Sequence, residues 1–328
     1  MTWPAIGGAR IPWRELQTSS RSPPAAPPLR PEQDNHALIV DVPGASGYSF
    51  FGVFDGHGGN FVSERAAALI LQAVLDTPEW KSGDRSDEKI SAALRAGFLA
   101  MDRILMATDE VQNRDDHSGS TAVTALVTPD RIFVANAGDS RAILVEDNKA
   151  KAMSEDHKPY NEEETRRIVA AGGTVAMKRV NGDLAVSRAL GDFVYKRFAG
   201  TQEQQQVSAE PEVRVHVRNA AKDQYLVLAC DGVWDVVSNE ECAAFVLDKA
   251  AEGCTGMTDL AGEIIDWCLD KQSKDNMSAI VVAFEAAPSN KVEKAVAEKY
   301  AAAKRLRDEE KKRAAADGAD GMEDPSGR

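Results

Sequence analysis

The chain has 328 residues, of which 43% are hydrophobic and 28% are charged, which is enough for one large or two average globular domains. A net charge of −13 disfavours nucleic acid as a partner, because phosphate binding requires a basic surface. No apolar run reaches the roughly 20 residues of a membrane span, and the N-terminus lacks a secretory pattern. Four widely spaced cysteines are typical of reduced thiols. We therefore expect an intracellular protein located in the cytoplasm, with the nucleus as the alternative.

The first 28 residues are rich in proline, serine and alanine, which predicts an irregular extension. Apolar residues at helical spacing then predict helices after Asn60 and over residues 87–107. Residues 120–145 contain three apolar, β-branched runs, which we interpret as an antiparallel meander. The predicted domain boundaries are 1–28 for the extension, 29–286 for the globular domain and 287–328 for a charged segment.

The second half of the chain continues the alternation of helices and strands. Residues 161–171 predict a helix that ends at Gly172, and 239–251 and 257–272 predict two more. A strand from Ser278 to Phe284 closes the domain, and residues 290–315 predict a charged helix before a polar tail. No feature requires an interface, so we expect a monomer.

Three predicted strands carry an aspartate at one end. Asp55 follows the run Phe50–Phe54, Asp231 follows Tyr225–Ala229, and Asp275 precedes the last strand. Clustered carboxylates repel, so they normally hold a cation or share a proton. Oxygen ligands suit Mg²⁺, Mn²⁺ or Ca²⁺. Each aspartate alone is equally well explained as a turn residue, but three of them beside the titratable His57 favour a metal site with a proton donor.

Seven short motifs occur along the chain in an order that is typical of a known protein family. In order they are FGVFDGHGG (51–59), SGSTA (118–122), NAGDSR (136–141), DHKP (156–159), LAVSRALGD (184–192), CDGVWD (230–235) and KDNM (274–277). Together they resemble the metal-dependent type 2C serine/threonine protein phosphatases over roughly residues 30–285. The resemblance implies an α+β fold, a four-layer α-β-β-α sandwich of two antiparallel sheets flanked by helices.

The resemblance also implies the ligands and the reaction. Asp55 matches the aspartate that bridges two Mg²⁺ or Mn²⁺ ions, the Gly56 carbonyl joins the coordination, and Asp231 and Asp275 match further ligands. Asp139 and Asp235 match acids of a weaker third ion, with turn structure as the equal alternative. His57 matches the proposed general acid, a role typically worth about 10²- to 10⁴-fold in rate. The implied reaction is direct attack of a metal-activated water on phosphoserine or phosphothreonine.

The entrance to the domain departs from the family pattern. Asp34 aligns well, but Gln33 stands where a metal-binding glutamate is common, and Arg30 is one place closer than the usual phosphate-binding arginine. A neutral amide offers a carbonyl without charge, so the second metal is the weakest point of the prediction. Arg30 is a phosphate ligand or, alternatively, an exposed linker residue. Arg188 and the residues to about 210 match a flap beside the cleft, where Gln202–Gln206 either affect substrate choice or form a polar loop.

These observations predict a protein serine/threonine phosphatase that acts on phosphorylated proteins. Gln33 and Arg30 support one alternative, a catalytically weak relative that serves as a phosphate-sensing or scaffolding module. A second alternative, a metal-dependent phosphoesterase acting on small molecules or nucleic acid, is disfavoured by the order of the motifs and by the acidic charge.

Overall fold

A computed structural model of the chain describes residues 33–254 and 256–289. Its strands are β1 (Asn35–Val40), β2 (Ser49–Phe54), β3 (Gly56–His57), β4 (Gly119–Ser120), β5 (Ala122–Val127), β6 (Arg131–Ala137), β7 (Arg141–Glu146), β8 (Lys149–Ala152), β9 (Val175–Ala176), β10 (Arg179–Val180), β11 (Leu190–Gly191), β12 (Glu212–Val217), β13 (Asp223–Ala229) and β14 (Ala279–Ala283). Its α-helices are α1 (Phe61–Leu75), α2 (Pro78–Lys81), α3 (Asp87–Met106), α4 (Asp109–Gln112), α5 (Glu162–Ala170), α6 (Asp231–Trp234), α7 (Asn239–Ala251) and α8 (Met257–Asp270). Two 3₁₀ turns span Phe193–Tyr195 and Gln202–Gln204.

The longer strands form two antiparallel sheets. The first has the order β1-β2-β5-β6-β12, and the second has the order β14-β13-β7-β8. In the second sheet, Ala229 at the end of β13 pairs with Ala279 of β14 on one side and with Arg141 of β7 on the other. The loops that lead into β14 and β7 therefore lie at the same edge of the sheet as the loop that follows β13.

Three apolar clusters define four layers. One lies between the first sheet and helices α1 and α3, with Phe50, Phe98 and Leu126 fully buried. A second lies between the two sheets and contains Val123 and Leu228. The third fills the space between the second sheet and helices α7 and α8. The predicted four-layer α-β-β-α sandwich is confirmed.

The central strands are apolar on both faces because both faces are covered. In β2, Phe50 and Phe54 face the helices, whereas Phe51 and Val53 face the other sheet. A half-solvated antiparallel strand would alternate apolar and polar residues. The continuous apolar runs in the sequence are therefore explained by strands that are buried between two layers.

The predicted meander over residues 120–145 is only half correct. β5 and β6 pair as expected, but β7 belongs to the second sheet and pairs with β13. The chain changes sheets at Gly138, whose φ of +120° is a conformation that L side chains rarely adopt. This sharp corner places Asp139 between the two sheets.

The helices begin and end much as the sequence predicts. Ser238 and Glu241 form a capping box at the start of α7, and α5 is followed by Gly172 with a φ of +78°. All four cysteines, which lie within the described residues, are free thiols, and three of them are buried.

Two sequence predictions fall outside the described residues, namely the extension over 1–28 and the charged helix over 290–315. Across residues 33–254 and 256–289, no helix has both the length and the apolar character that a membrane crossing requires.

Candidate active site

The strand ends bring the predicted aspartates to one edge of the sandwich. Asp55 directly follows β2, and Asp231 begins α6 just after β13. Asp275 lies in the connection that leads into β14, and that connection is tight against α6, because a Cβ on Gly232 would collide with the Asn276 carbonyl. Asp139 lies at the corner before β7, the other partner of β13. The pairing of three strands therefore explains how distant acids meet.

These residues line one pocket with a volume of about 380 Å³. The predicted residues that line it are Gln33, Asp55, Gly56, His57, Asp139, Asp231 and Asp275. The sequence thus correctly predicted that the three strand-end aspartates converge on a single cavity. Their roles in that cavity are considered below as a proposal.

Burial and mutual repulsion dominate the electrostatics of the acids. Burial first, and then the charges of Asp34, Asp231 and Asp139, raise the pKa of Asp55 well above its ordinary value. Burial and neighbouring acids, Asp139 first among them, raise the pKa of Asp231 to about 7. Such a group of carboxylates is stabilised by a cation, which favours the ionised forms. The all-oxygen donor set fits a hard divalent ion.

Asp139 has a cationic partner inside the protein. Lys158 Nζ lies 2.5 Å from Asp139 Oδ2, and the Asp139 carboxylate is buried. Burial nevertheless raises the pKa of Asp139, and the attraction of Lys158 only partly offsets this. Asp139 is therefore held in an ion pair at the pocket wall.

Thr121 joins Asp55 to the corner that carries Asp139. The Asp55 amide donates to Thr121 Oγ1 over 3.3 Å, the Thr121 amide donates to the Asp55 carbonyl over 2.9 Å, and Thr121 Oγ1 is 2.7 Å from Ser140 Oγ. Two of the predicted acids are thus fixed relative to each other through one buried threonine.

Gly56 is required by the close approach of the chain at the domain entrance. A Cβ at this position would collide with the Gln33 carbonyl and with Ser63 Oγ. Ser63 Oγ donates to that same carbonyl over 2.5 Å. Gln33 therefore lies at the pocket, as the alignment with the family's glutamate predicts, and its backbone is fixed by α1.

Three predicted site residues are not among those that line the pocket. Asp34 is buried and close enough to Asp55 to raise its pKa. Asp235 is exposed at the end of α6, where its charge helps to raise the pKa of Asp231. Arg30 lies outside the described residues.

The flap prediction concerns Arg188 and the residues to about 210. Leu184, Ala185 and Val186, just before this stretch, line the pocket. Arg188 is not among the lining residues and forms an ion pair with buried Glu164. Among the glutamines, Gln205 is buried and bonds to the loop backbone at Phe198 and Thr201. These contacts agree with the alternative that the stretch forms a polar loop.

Sequence reasoning missed several pocket residues. Arg179, Thr121 and Asn276 also line the cavity. Thr121 and Asn276 lie in two of the family motifs, so the motifs were the available signal for them. Arg179 is on the short strand β10, five residues before the LAVSRALGD motif and outside it, so no motif pointed to this residue.

A separate acidic group lies at the opposite end of β7 and β13. Ligand atoms of Glu146, His216 and Asp223 lie within 4.8 Å of one another. However, Lys151 Nζ is 3.0 Å from His216 Nδ1 and 3.2 Å from Glu146 Oε2. His216 Nε2 contacts both Asp223 oxygens at 3.1 Å. This group is an internally satisfied network in which a lysine already supplies the positive charge.

Comparison with known proteins agrees with this geometry. The sequence model of the family described as protein phosphatase 2C matches residues 31–277. Protein phosphatase 1B of Mus musculus is 41% identical over 265 residues, covering 78% of this chain and 67% of the relative. Protein phosphatase 1A of Homo sapiens is 41% identical over 260 residues, covering 78% and 68%.

A solved structure shows the same fold. The serine-threonine phosphatase 2C from Toxoplasma gondii superposes with a TM-score of 0.67 at 27% identity, covering 77% of this chain and 90% of that one. The chain therefore belongs to the protein phosphatase 2C family and is a metal-dependent serine/threonine phosphoprotein phosphatase.

Proposed function

We propose that the Asp55 pocket is the catalytic centre and that it hydrolyses phosphoserine and phosphothreonine in proteins by direct attack of water. The observation that carries this proposal is the convergence of Asp55, Asp139, Asp231 and Asp275 with His57 on one cavity. The reacting groups of an in-line hydrolysis are an activated water, counter-charges for the phosphate and a proton donor for the leaving oxygen.

We assign two Mg²⁺ or Mn²⁺ ions, and a weaker third ion, to this group of oxygen donors. Asp55, the Gly56 carbonyl, Asp231 and Asp275 would hold the first pair, together with Gln33 and Asp34 at the entrance. Asp139 and Asp235 would hold the third. When bound, such ions lower the pKa of a water molecule and offset the charge of the phosphate.

The other pocket residues have roles in binding and proton transfer. His57 is placed to protonate the leaving serine or threonine oxygen, which is a poor leaving group without a proton. Arg179 brings a guanidinium to the cavity, and its planar donors suit a phosphate dianion. We also assign Arg30, at the start of the domain, to binding of the substrate phosphate.

We also propose that the chain is an intracellular monomer that acts on phosphorylated proteins. The net charge of −13 argues against nucleic acid as a partner, and the free thiols fit a reducing compartment, whether cytoplasm or nucleus. We take residues 29–286 as the phosphatase domain, between an extension over 1–28 and a charged segment over 287–328. The family match over 31–277 supports these limits.

Hydrolysis of an aryl phosphate and of a phosphothreonine peptide tests the proposal. Both reactions should require Mn²⁺ or Mg²⁺, stop with chelator, and be lost in Asp231→Ala. Asp266→Ala removes an exposed acid on α8 and should behave like wild type. Activity that survives both the chelator and Asp231→Ala would refute the metal mechanism.

A further inference from the structure

Asp192 is a buried acid in direct contact with the imidazole of His57. His57 Nε2 lies 2.7 Å from Asp192 Oδ2, and the two side chains are 30% and 6% exposed. The residues are 135 positions apart in the chain. We propose that Asp192 is a positioning residue, which fixes the ring of His57 so that its other nitrogen faces the leaving oxygen. This inference rests on the proposed function of His57.

A small three-stranded sheet brings Asp192 and His57 into contact. β4 pairs with β3 on one side and with β11 on the other, so that Gly119 lies between His57 and Gly191. Asp192 is the next residue after β11. The sheet has only two residues in each strand, and its register aligns the acid with the imidazole.

The central residue of this sheet must be glycine. A Cβ on Gly119 would collide with Asp192 Oδ2 and with His57 Nε2, the two atoms that form the contact. The close approach of these two side chains therefore occupies the space that any other residue at position 119 would need.

The backbone of Asp192 is held in an unusual conformation. Its φ of +52° and ψ of +40° are left-handed, a region that aspartate visits more readily than most residues. Its amide donates to the Ser118 carbonyl over 3.1 Å, and its carbonyl accepts from Tyr195 over 3.0 Å. Such conformations persist when the surrounding contacts determine them and cluster at functional sites.

A second buried ion pair anchors the same turn to α3. Asp102 Oδ1 accepts from the Gly191 amide over 2.9 Å and from Lys196 Nζ over 2.7 Å. Both side chains of this pair are at most 3% exposed. Residues on either side of Asp192 are thus fixed to a long helix, which gives the acid little freedom to leave His57.

The contact decides which nitrogen of His57 is available. A carboxylate oxygen accepts hydrogen bonds, so Nε2 carries the proton in this contact, and Nδ1 is left to serve the substrate. As water attacks phosphorus it releases one proton to solvent, and the bond from phosphorus to the leaving oxygen breaks. The bonding pair goes to that oxygen, which takes the proton from Nδ1 of His57. Solvent then reprotonates Nδ1, while the other proton stays on Nε2 of His57, which donates it to Asp192.

The chain contains a matched pair that serves as a control. His216 Nε2 also contacts an aspartate, Asp223, and this pair lies at the opposite end of the sheet from the pocket. Asp223→Asn should lower the stability of the protein without changing the ratio of its rates on substrates with different leaving groups. Asp192→Asn makes the same chemical change beside His57.

Leaving-group dependence separates positioning from general damage. The phenolate of p-nitrophenyl phosphate leaves without a proton, whereas the threonine alkoxide requires one. In Asp192→Asn we expect kcat for a phosphothreonine peptide to fall about 10²-fold and kcat for the aryl phosphate to change less than about threefold. In a His57→Gln background, Asp192→Asn should cause no further loss for the peptide, because the two residues act as a unit.

Two results would overturn the proposal: an equal loss on both substrates, as general damage would give, or an undiminished peptide rate in Asp192→Asn. Mn²⁺ titration by calorimetry should give the same affinity in wild type and Asp192→Asn, which separates this result from a failure of the metal site.

A spectroscopic readout tests the contact even if neither substrate is hydrolysed. Nitrogen-15 spectra of the metal-free protein should show His57 with a slowly exchanging proton on Nε2, and that protection should disappear in Asp192→Asn but persist in Asp223→Asn. An unchanged His57 signal in Asp192→Asn would refute the positioning role, whatever the activity of the protein.

Discussion

Glu164 is a buried carboxylate whose removal should destabilise the wall of the pocket. Its side chain is 4% exposed, and it lies 2.7 Å from Arg188 Nη2 and 2.8 Å from Arg167 Nη1. It also accepts from Ser187 Oγ over 2.6 Å. These contacts join α5 to the segment that continues into the pocket-lining residues 184–186. Glu164→Gln keeps the shape of the side chain and removes its charge.

The expected cost follows from the pKa of this group. Burial alone would raise the pKa of Glu164, but Arg188 and Arg167 outweigh burial and lower it from 4.5 to about 2. At about 1.36 kcal/mol for each pKa unit, this difference is worth about 3 kcal/mol of folding stability at neutral pH. Breaking a buried ion pair by removing one partner typically costs about 3–5 kcal/mol, in agreement.

The pH dependence has a definite sign. Because the folded-state pKa is lowered, the stabilisation is complete above the ordinary value of 4.5 and is lost as the pH falls towards about 2. The difference in unfolding free energy between wild type and Glu164→Gln should therefore be constant near neutral pH and shrink as the solution is acidified below about pH 4.5.

Urea unfolding of wild type, Glu164→Gln and Glu162→Gln measures this effect. Glu162 lies on the same helix and pairs with Arg166, but its side chain is 90% exposed, so its loss should cost less than about 1 kcal/mol. Equal costs for the two variants, or a difference that widens in acid, would refute the reasoning.

Two further changes test the geometry of the pocket. In Gly138→Ala, the added Cβ would lie 2.6 Å from Thr121 Cβ at a φ of +120°, so we expect the unfolding free energy measured in urea to fall by about 1–3 kcal/mol. The control Gly172→Ala, with a φ of +78° and open space around it, should lower the unfolding free energy by only about 1 kcal/mol. Equal losses in the two variants would contradict the predicted clash. In Gln33→Glu, the added carboxylate should tighten Mn²⁺ binding about tenfold, measured by calorimetry. The control Gln112→Glu on α4 should leave the Mn²⁺ affinity unchanged. An unchanged affinity in Gln33→Glu would mean that this side chain does not reach an ion.

The strand-end aspartates could be predicted because the signal is local. Asp55, Asp231 and Asp275 each adjoin an apolar run, and strands of one sheet system end at a common edge. The helices were predictable for a similar reason, since α1 and α3 have apolar residues at a period of about 3.6. The order of the layers came only from the family resemblance.

The rest of the site depends on contacts that a local pattern cannot report. The crossing from β6 to β7 was missed because strands buried on both faces lose the alternation that would assign them to a sheet. The three two-residue strands around Gly119 are too short for any periodicity. The partnership of His57 with Asp192 spans 135 residues, and Arg179 reaches the cavity from a hairpin without a recognisable motif.

The location of the metal tests the central claim most directly. Crystals grown with Mn²⁺ should show anomalous difference density in the pocket of Asp55, Gly56, Asp231 and Asp275, about 2 Å from their oxygen atoms. The Asp231→Ala variant should lose or weaken that density. Manganese bound instead at Glu146, His216 and Asp223, with none in the Asp55 pocket, would contradict the account.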